Sequence, residues 1–305
     1  MIGVRMKKSK LEHWSGTTTW WYVDRVLHAS IPFTWLLPRV ETYLRQRDFE
    51  WDTAIVGGPA VELMPGYFAE YPWIKEGHDY PGVLQRVNSQ ATRTTLGCPC
   101  RCEFCGIGTG QIEAGPFREL ETWVPNPIIC DNNLLACGLP HFRKVIAGLQ
   151  SYDECDFNQG LDIRLITAER AAMLATLSRP IIRLALDSDK DIDTWLRAVA
   201  RLLRAGLKKT NIKSYVLVGY QEEPLTAWRR CEVVDMAGIS VMPMWFHELN
   251  ALEYGAVTEK QFGLGWTPDK RNQIMSWYWQ HTKKYGIPDF VEKRIKQRKE
   301  SHNDR

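Results

Sequence analysis

Charge of one sign is what this sequence has least of. Lys and Arg total 39 against 36 Asp and Glu, a formal net charge of +3 over 305 residues. So small an excess neither demands nor excludes a polyanionic partner such as nucleic acid. Long apolar runs are missing as well. The stretch Ile31 to Leu37 is too short to cross a bilayer, and no membrane partner is expected. Met1 to Lys10 is not followed by the apolar core and small-residue cleavage site of a secretory signal. Cysteine is not dense either, since 8 residues in this length do not make the disulfide framework of a small secreted domain. These absences lead to the expectation of a cytoplasmic protein in a reducing environment. A complete dinucleotide fingerprint is also lacking. Gly106-Ile-Gly108-Thr-Gly110 is glycine-rich, but G-x-G-x-x-G is incomplete and no clear helix follows. It reads as a loop or a lid.

What is present is ordinary in bulk and unusual in one place. Hydrophobic content of 44% and charged content of 25% suit a globular chain, long enough for one large domain or two smaller ones. The 13 tryptophans are many, and they serve equally as core or as platforms for a planar ligand. Half of the cysteines fall in one stretch, Cys98-Pro-Cys100-Arg-Cys102-Glu-Phe104-Cys105. Three of these thiols have the spacing C-x3-C-x2-C, which lets one loop wrap three corners of a compact metal cluster. Thiolates are soft ligands that suit iron–sulfur clusters, zinc and Cu(I). A four-iron cluster takes four ligands, so three from the protein leave one iron open. Cys100 keeps a second reading open, because four thiolates could close a zinc or iron–sulfur site. Its one-residue separation from two neighbours is cramped for a fourth corner, and it reads as a spare or supporting thiol.

Thr95-Leu-Gly97-Cys98-Pro99 followed by Cys102-Glu-Phe104-Cys105 resembles the cluster loop of radical S-adenosylmethionine (SAM) enzymes. The likeness is to the branch with methylthiotransferases and cobalamin-associated enzymes, over roughly Arg93 to Trp245. It implies a [4Fe–4S] cluster on Cys98, Cys102 and Cys105, with SAM on the fourth iron. It also implies reductive cleavage of SAM to methionine and a 5′-deoxyadenosyl radical, with flavodoxin or ferredoxin as electron donor. The implied fold is α/β: a partial (β/α)6 radical SAM barrel with a short N-terminal α/β section and a helical, basic C-terminal extension. Expected boundaries are 1–85, 86–246 and 247–305. The first section, with Gly57-Gly58-Pro59 after a strand, is similar to the end of a cobalamin-binding domain. It lacks the family's Asp-x-His-x-x-Gly and is short, which argues against cobalamin and for a reduced remnant.

Along the chain, Trp20–His28 and Leu36–Arg47 read as helices and Asp52–Val56 as a strand. Asp79–Gln90 reads as a linker and Ala91–Leu96 as the strand entering the cysteine loop. Pro127–Cys130 is a strand ending in Asp131-Asn132-Asn133, and Pro140–Leu149 is a helix. Polar residues at the carboxyl end of a parallel strand face the usual active-site side. By resemblance Asp131 and Asn132 lie near the SAM amino group, and an Asx helix cap is the structural alternative. The strand Cys155–Phe157 leads to Asn158, Gln159, Asp162 and Arg164, candidates for SAM or substrate contacts. Arg164 suits the methionine carboxylate or a simple pair with Asp162. Thr167–Leu177 reads as a helix. The strand Ile181–Leu186 ends at Asp187, which by resemblance meets the SAM ribose or else caps the helix Asp189–Ala205. Asn211–Val218 ends at Gly219, whose backbone by resemblance lies against adenine. A helix over Pro224–Ala237 and a strand over Ile239–Met242 complete about six strand–helix steps, and this alternation argues for parallel α/β architecture.

The expected function is radical chemistry begun by hydrogen abstraction. A second cysteine cluster is absent, which disfavours methylthiolation. The leading substrate class is a modified nucleobase, by analogy with viral radical SAM enzymes that rearrange hypermodified thymidine in DNA. The adjacent Trp277, Tyr278 and Trp279 and the run from Lys293 to Lys299 suit stacking and phosphate contacts. Two alternatives are a radical enzyme acting on a small biosynthetic metabolite and a non-enzymatic iron–sulfur or zinc protein that binds nucleic acid.

Overall fold

The computed structural model describes residues 10–12, 14, 16–77, 82–276 and 290–291. The linker residues Asp79 to Pro81, the aromatic triplet Trp277 to Trp279 and the basic run Lys293 to Lys299 lie outside them. The chain divides into two units. The first comprises Met1–Gln159, Leu177–Arg179 and His247–Tyr254, and the second Gly160–Thr176, Pro180–Phe246 and Gly255–Arg305.

The first unit opens with β1 (Thr19–Val23) paired antiparallel to β2 (Val26–Ser30). Asp24 and Arg25 between them take left-handed backbone, φ 44° and 64°, the geometry of a two-residue hairpin turn. The helix expected over Trp20–His28 is therefore corrected to a hairpin. Bulky rings decide it, because Trp21 lies opposite His28 and stacks on it at 5.3 Å. Such cross-strand pairs stabilise a ladder and fit a pleated surface. α1 (Leu37–Gln46) follows, with Pro38 in its first turn, burying Leu37, Val40 and Leu44. β3 (Thr53–Gly57) adds parallel to β2. Gly58 then turns at φ 94° into α2 (Pro59–Leu63), and a Cβ there would sit 2.9 Å from the Ile31 backbone. β4 (Ile74–Glu76) completes the sheet in the order β1-β2-β3-β4. Val56, Phe68 and Trp51 fill the core beneath it.

α3 (Val83–Val87) leads to β5 (Ala91–Thr92). The single strand expected over Ala91–Leu96 is broken there, and the chain resumes as β6 (Thr95–Leu96), antiparallel to β7 (Arg118–Glu119). β8 (Ile128–Ile129) and, after α4 (Leu139–Leu149), β9 (Cys155–Phe157) run parallel to β5 in the order β5-β8-β9.

In the second unit α5 (Ala168–Leu174) is capped by Thr167, whose Oγ1 accepts from the Arg170 amide. β10 (Pro180–Leu186), α6 (Ile192–Arg204), β11 (Ile212–Val218), α7 (Pro224–Met236) and β12 (Ser240–Trp245) then alternate. The three strands are parallel in the order β10-β11-β12. Ile182, Leu184, Leu186, Ser214 and Val216 are buried on one face. That face looks toward the helices, since Trp195 of α6 donates to Ser214 Oγ at 2.9 Å. The other face carries Arg183, Ala185 and Tyr215, and by alternation Asp187 and Gly219 continue it. β12 runs past the expected end at Met242 and includes Pro243. α8 (Glu259–Gly263) and α9 (Pro268–Met275) follow. The architecture is mixed α/β, with an N-terminal β/α section, parallel strands flanked by helices, and C-terminal helices. Among the described residues no helix is long and apolar enough to cross a membrane.

Candidate metal centre and ligand groups

Three consecutive polar residues at the carboxyl end of β8 each hold a different part of the cysteine loop. Asp131 is 2% exposed. Its Oδ1 accepts from the amide and hydroxyl of Thr94 and from the amide and hydroxyl of Thr95, at 2.6 Å for the Thr95 hydroxyl. This is why the strand breaks after β5. Burial raises the Asp131 pKa, and the hydrogen bonds from Thr95 and Thr94 oppose the rise. Its Oδ2 has no hydrogen-bond partner among the described residues.

Asn132 donates to Glu113 Oε2 at 2.8 Å. Glu113 lies beyond the last loop cysteine and also receives the Gly97 amide at 3.2 Å and the Arg93 guanidinium. Asn133 is buried, and its Nδ2 reaches Cys98 Sγ at 3.7 Å and Cys100 Sγ at 3.5 Å. Asn133 also precedes a short 3-10 turn, Leu134–Ala136, without capping it.

The loop itself is tightly wound. The Cys105 amide donates to Cys102 O at 3.1 Å, and the Thr109 amide to Cys105 O at 2.9 Å. Gly108 presses on Cys102, where a Cβ would fall 2.5 Å from the carbonyl oxygen, so only glycine fits. Gly106 O accepts the amides of Gln111 and Ile112. The glycine run is therefore a folded turn rather than a loose lid.

All of the loop thiols are partly exposed and unbridged, whereas Cys130, Cys137, Cys155 and Cys231 are buried. Burial pushes the thiols of Cys130 and Cys155 up to about 12, which keeps them protonated and inert. The Cys98 thiol is also raised by burial, and the Cys100 amide and Asn133 pull the other way. The donor chemistry of the loop fits a soft metal or an iron–sulfur cluster. Among the described residues no three His, Cys, Asp or Glu side chains converge on a single ion. Thiolates around a four-iron cluster stand farther apart than those around one ion.

Of the other candidates in this unit, the Asn158 amide donates to Ile129 O at 2.9 Å and Gln159 is exposed. The remainder belong to the second unit. Arg164 makes a two-pronged pair with Asp162, Nε to Oδ1 at 2.8 Å and Nη2 to Oδ2 at 2.7 Å. Asp162 Oδ1 also accepts the Arg164 amide at 3.0 Å.

Asp187 makes no hydrogen bond or ion pair among the described residues. Burial pushes its carboxyl up to about 6, with Arg230 pulling down and Asp191 pushing up. It is not a cap, since Ser188 Oγ takes the Lys190 amide at 3.3 Å. Gly219 stands at φ 87°, and a Cβ would lie 2.6 Å from the Trp245 ring. Its amide donates to Glu222 Oε1 at 3.3 Å and its carbonyl accepts from Gln261 Nε2 at 3.0 Å. Buried Arg230 fixes Glu222 and donates to Leu217 O at 2.6 Å. Both backbone polar groups of Gly219 are therefore occupied, and the Trp245 ring fills the space a side chain would take.

Sequence reasoning passed over Glu113, Asn133, Glu222, Arg230 and Gln261. Only Asn133, beside two chosen neighbours, carried a local signal. No protein-family model matches the chain, and no characterised protein matches its sequence.

Proposed function

We propose that this chain is a radical SAM enzyme, with Cys98, Cys102 and Cys105 holding a [4Fe–4S] cluster. The observation that carries the reading is the wound, half-exposed thiol loop held over the end of a parallel strand, set against cysteines elsewhere that are buried and inert. When bound, the reduced cluster would supply the electron for SAM cleavage, delivered by a flavodoxin or ferredoxin. Asp187 would accept ribose hydroxyls, and Gly219 would let adenine lie against backbone. Asp131 and Asn132 would lie near the SAM amino group, with the buried Asp131 Oδ2 the carboxylate oxygen left without a partner among the described residues. Arg164 would leave Asp162 for the methionine carboxylate, and Asn158 and Gln159, just past β9, would contact SAM or substrate. The parallel strands would belong to a partial (β/α)6 barrel. The substrate in this reading carries a modified nucleobase, such as a hypermodified thymidine in DNA, in keeping with the tryptophan content.

One observation favours a second reading. Asn133 reaches Cys100 as well as Cys98, which groups Cys100 with a ligand and suits a closed four-thiolate iron–sulfur or zinc site without radical chemistry.

Anaerobic reconstitution separates the two. The first reading expects about four irons and four sulfides per chain and 5′-deoxyadenosine on reduction with SAM. Cys98→Ala, Cys102→Ala and Cys105→Ala should each abolish that product, while Cys100→Ala retains it. Equal loss in all of these variants, or stable zinc with no SAM cleavage, supports the closed site. Deuterated nucleosides, modified DNA and small metabolites offered to the active enzyme then identify the substrate class by deuterium transfer.

A further inference from the structure

Glu113 sits outside every motif and is held in an uncommon conformation. Its φ is 49°, a left-handed backbone that a side chain with Cβ adopts only when its surroundings impose it. The surroundings are specific. Its amide donates to Glu62 Oε2 on α2 at 2.8 Å. One carboxylate oxygen takes the Arg93 guanidinium, at the residue where β5 ends. The other takes the Gly97 amide at 3.2 Å, directly before the first loop cysteine, and Asn132 Nδ2 at 2.8 Å, at the end of β8. Arg93 in turn donates from Nε to Cys130 O at 3.2 Å. One side chain therefore joins the entry of the cysteine loop, its exit and two strand ends.

We infer that Glu113 is the positioning residue of the cysteine loop, a carboxylate latch that holds the two ends of the stretch bearing Cys98, Cys100, Cys102 and Cys105 before any metal arrives. The metal arm of this inference rests on the ligand assignment proposed above, and the thiol arm does not. Strain at Glu113 is the local consequence of closing the loop against β5 and β8 at once. The charge is matched by Arg93, and the two neutral donors make the latch directional.

The test uses the full chain, reduced and metal-free under anaerobic conditions. Glu113→Gly removes the carboxylate while accepting the positive φ without strain, so the fold is expected to survive. Glu113→Gln keeps an acceptor and loses the charge. Iodoacetamide labelling, read cysteine by cysteine by mass spectrometry, reports loop closure, and the buried Cys130, Cys155 and Cys231 report the fold in the same sample. Glu113→Gly should speed labelling of the loop thiols about tenfold, as expected for loss of hydrogen bonds to a charged group. The buried cysteines should stay protected, and Glu113→Gln should fall between. Iron bound on reconstitution, and its visible absorption, should drop in the same order. Unchanged loop labelling, unchanged iron despite faster labelling, or equal exposure of buried and loop cysteines would each overturn the latch. Wild-type protein that binds no iron would sink the cluster assignment alone, and the labelling would still decide the latch.

Discussion

β8 and β10 both run out into an aspartate, and the two acids are treated in opposite ways. Asp131 is enclosed, and one oxygen collects every donor that Thr94 and Thr95 offer. Asp187 is crowded by protein yet bonded to nothing described, and its carboxyl rises to about 6. The first acid shapes the chain, and in the function proposed above the second would take the SAM ribose. Residue type at a strand end is the same in both cases, so type alone does not assign the role. Saturation by local donors does. An unpaired, desolvated carboxylate costs stability, and such costs concentrate where a ligand repays them.

The largest effect should come from Asp131→Ala, which strands two amides and two hydroxyls in a buried position. Stability in urea should fall by roughly 3–5 kcal/mol. A loss below about 1 kcal/mol would mean that Asp131 is not the organiser of this turn, and the contrast with Asp187 would collapse.

Asp187→Asn should move the other way. Folding raises the Asp187 pKa from the ordinary 3.8 to about 6, so the folded chain binds this proton more tightly than the unfolded chain. That contribution is complete below about pH 4 and is lost as pH rises through about 6. The variant should gain up to about 3 kcal/mol over wild type at pH 8 and almost nothing at pH 4. Under the proposed SAM site, its affinity for SAM should fall about tenfold, as for a lost ribose hydrogen bond. Denaturation curves at both pH values, beside calorimetry on reconstituted protein, check the two halves. A stability difference that ignores pH would break the assignment of an unpaired carboxylate.

The smallest effect sharpens the boundary between the neighbours Asp187 and Ser188. Ser188→Ala should cost about 0.5–1 kcal/mol, the usual worth of a cap, with no change in SAM affinity. If Ser188→Ala proves neutral and Asp187→Asn costs a cap's worth, the two roles are reversed.

Much of the second unit was legible beforehand. β10 and β11 are largely apolar runs with turn residues at both ends, α6 carries clean helical periodicity, and Pro224 marks the start of α7. The hairpin at Thr19–Ser30 was not legible, because Trp20, Trp21 and Tyr22 give no alternation, and neither Asp24 nor Arg25 announces left-handed backbone. The loop of half-exposed thiols was legible because four of the cysteines crowd one stretch of the sequence. Glu113 was not, since its partners come from Glu62, Arg93, Gly97 and Asn132, and no spacing rule links those positions. The Arg230–Glu222–Gly219 chain is hidden for the same reason. It is made by a helix residue folding back on a strand end, a contact that exists only once the parallel layer is formed.

Pro243 has a bearing on how the molecule behaves among copies of itself. The Phe246 amide donates to Val218 O at 2.8 Å, so amides at even positions of β12 point toward β11 and position 243 points away. On that outward side no strand pairs with β12 among the described residues. A proline there presents a ring where an incoming strand needs a hydrogen to grip. This flank is thereby blunted at its midpoint, and crowded or freshly synthesised protein has one less place to stick.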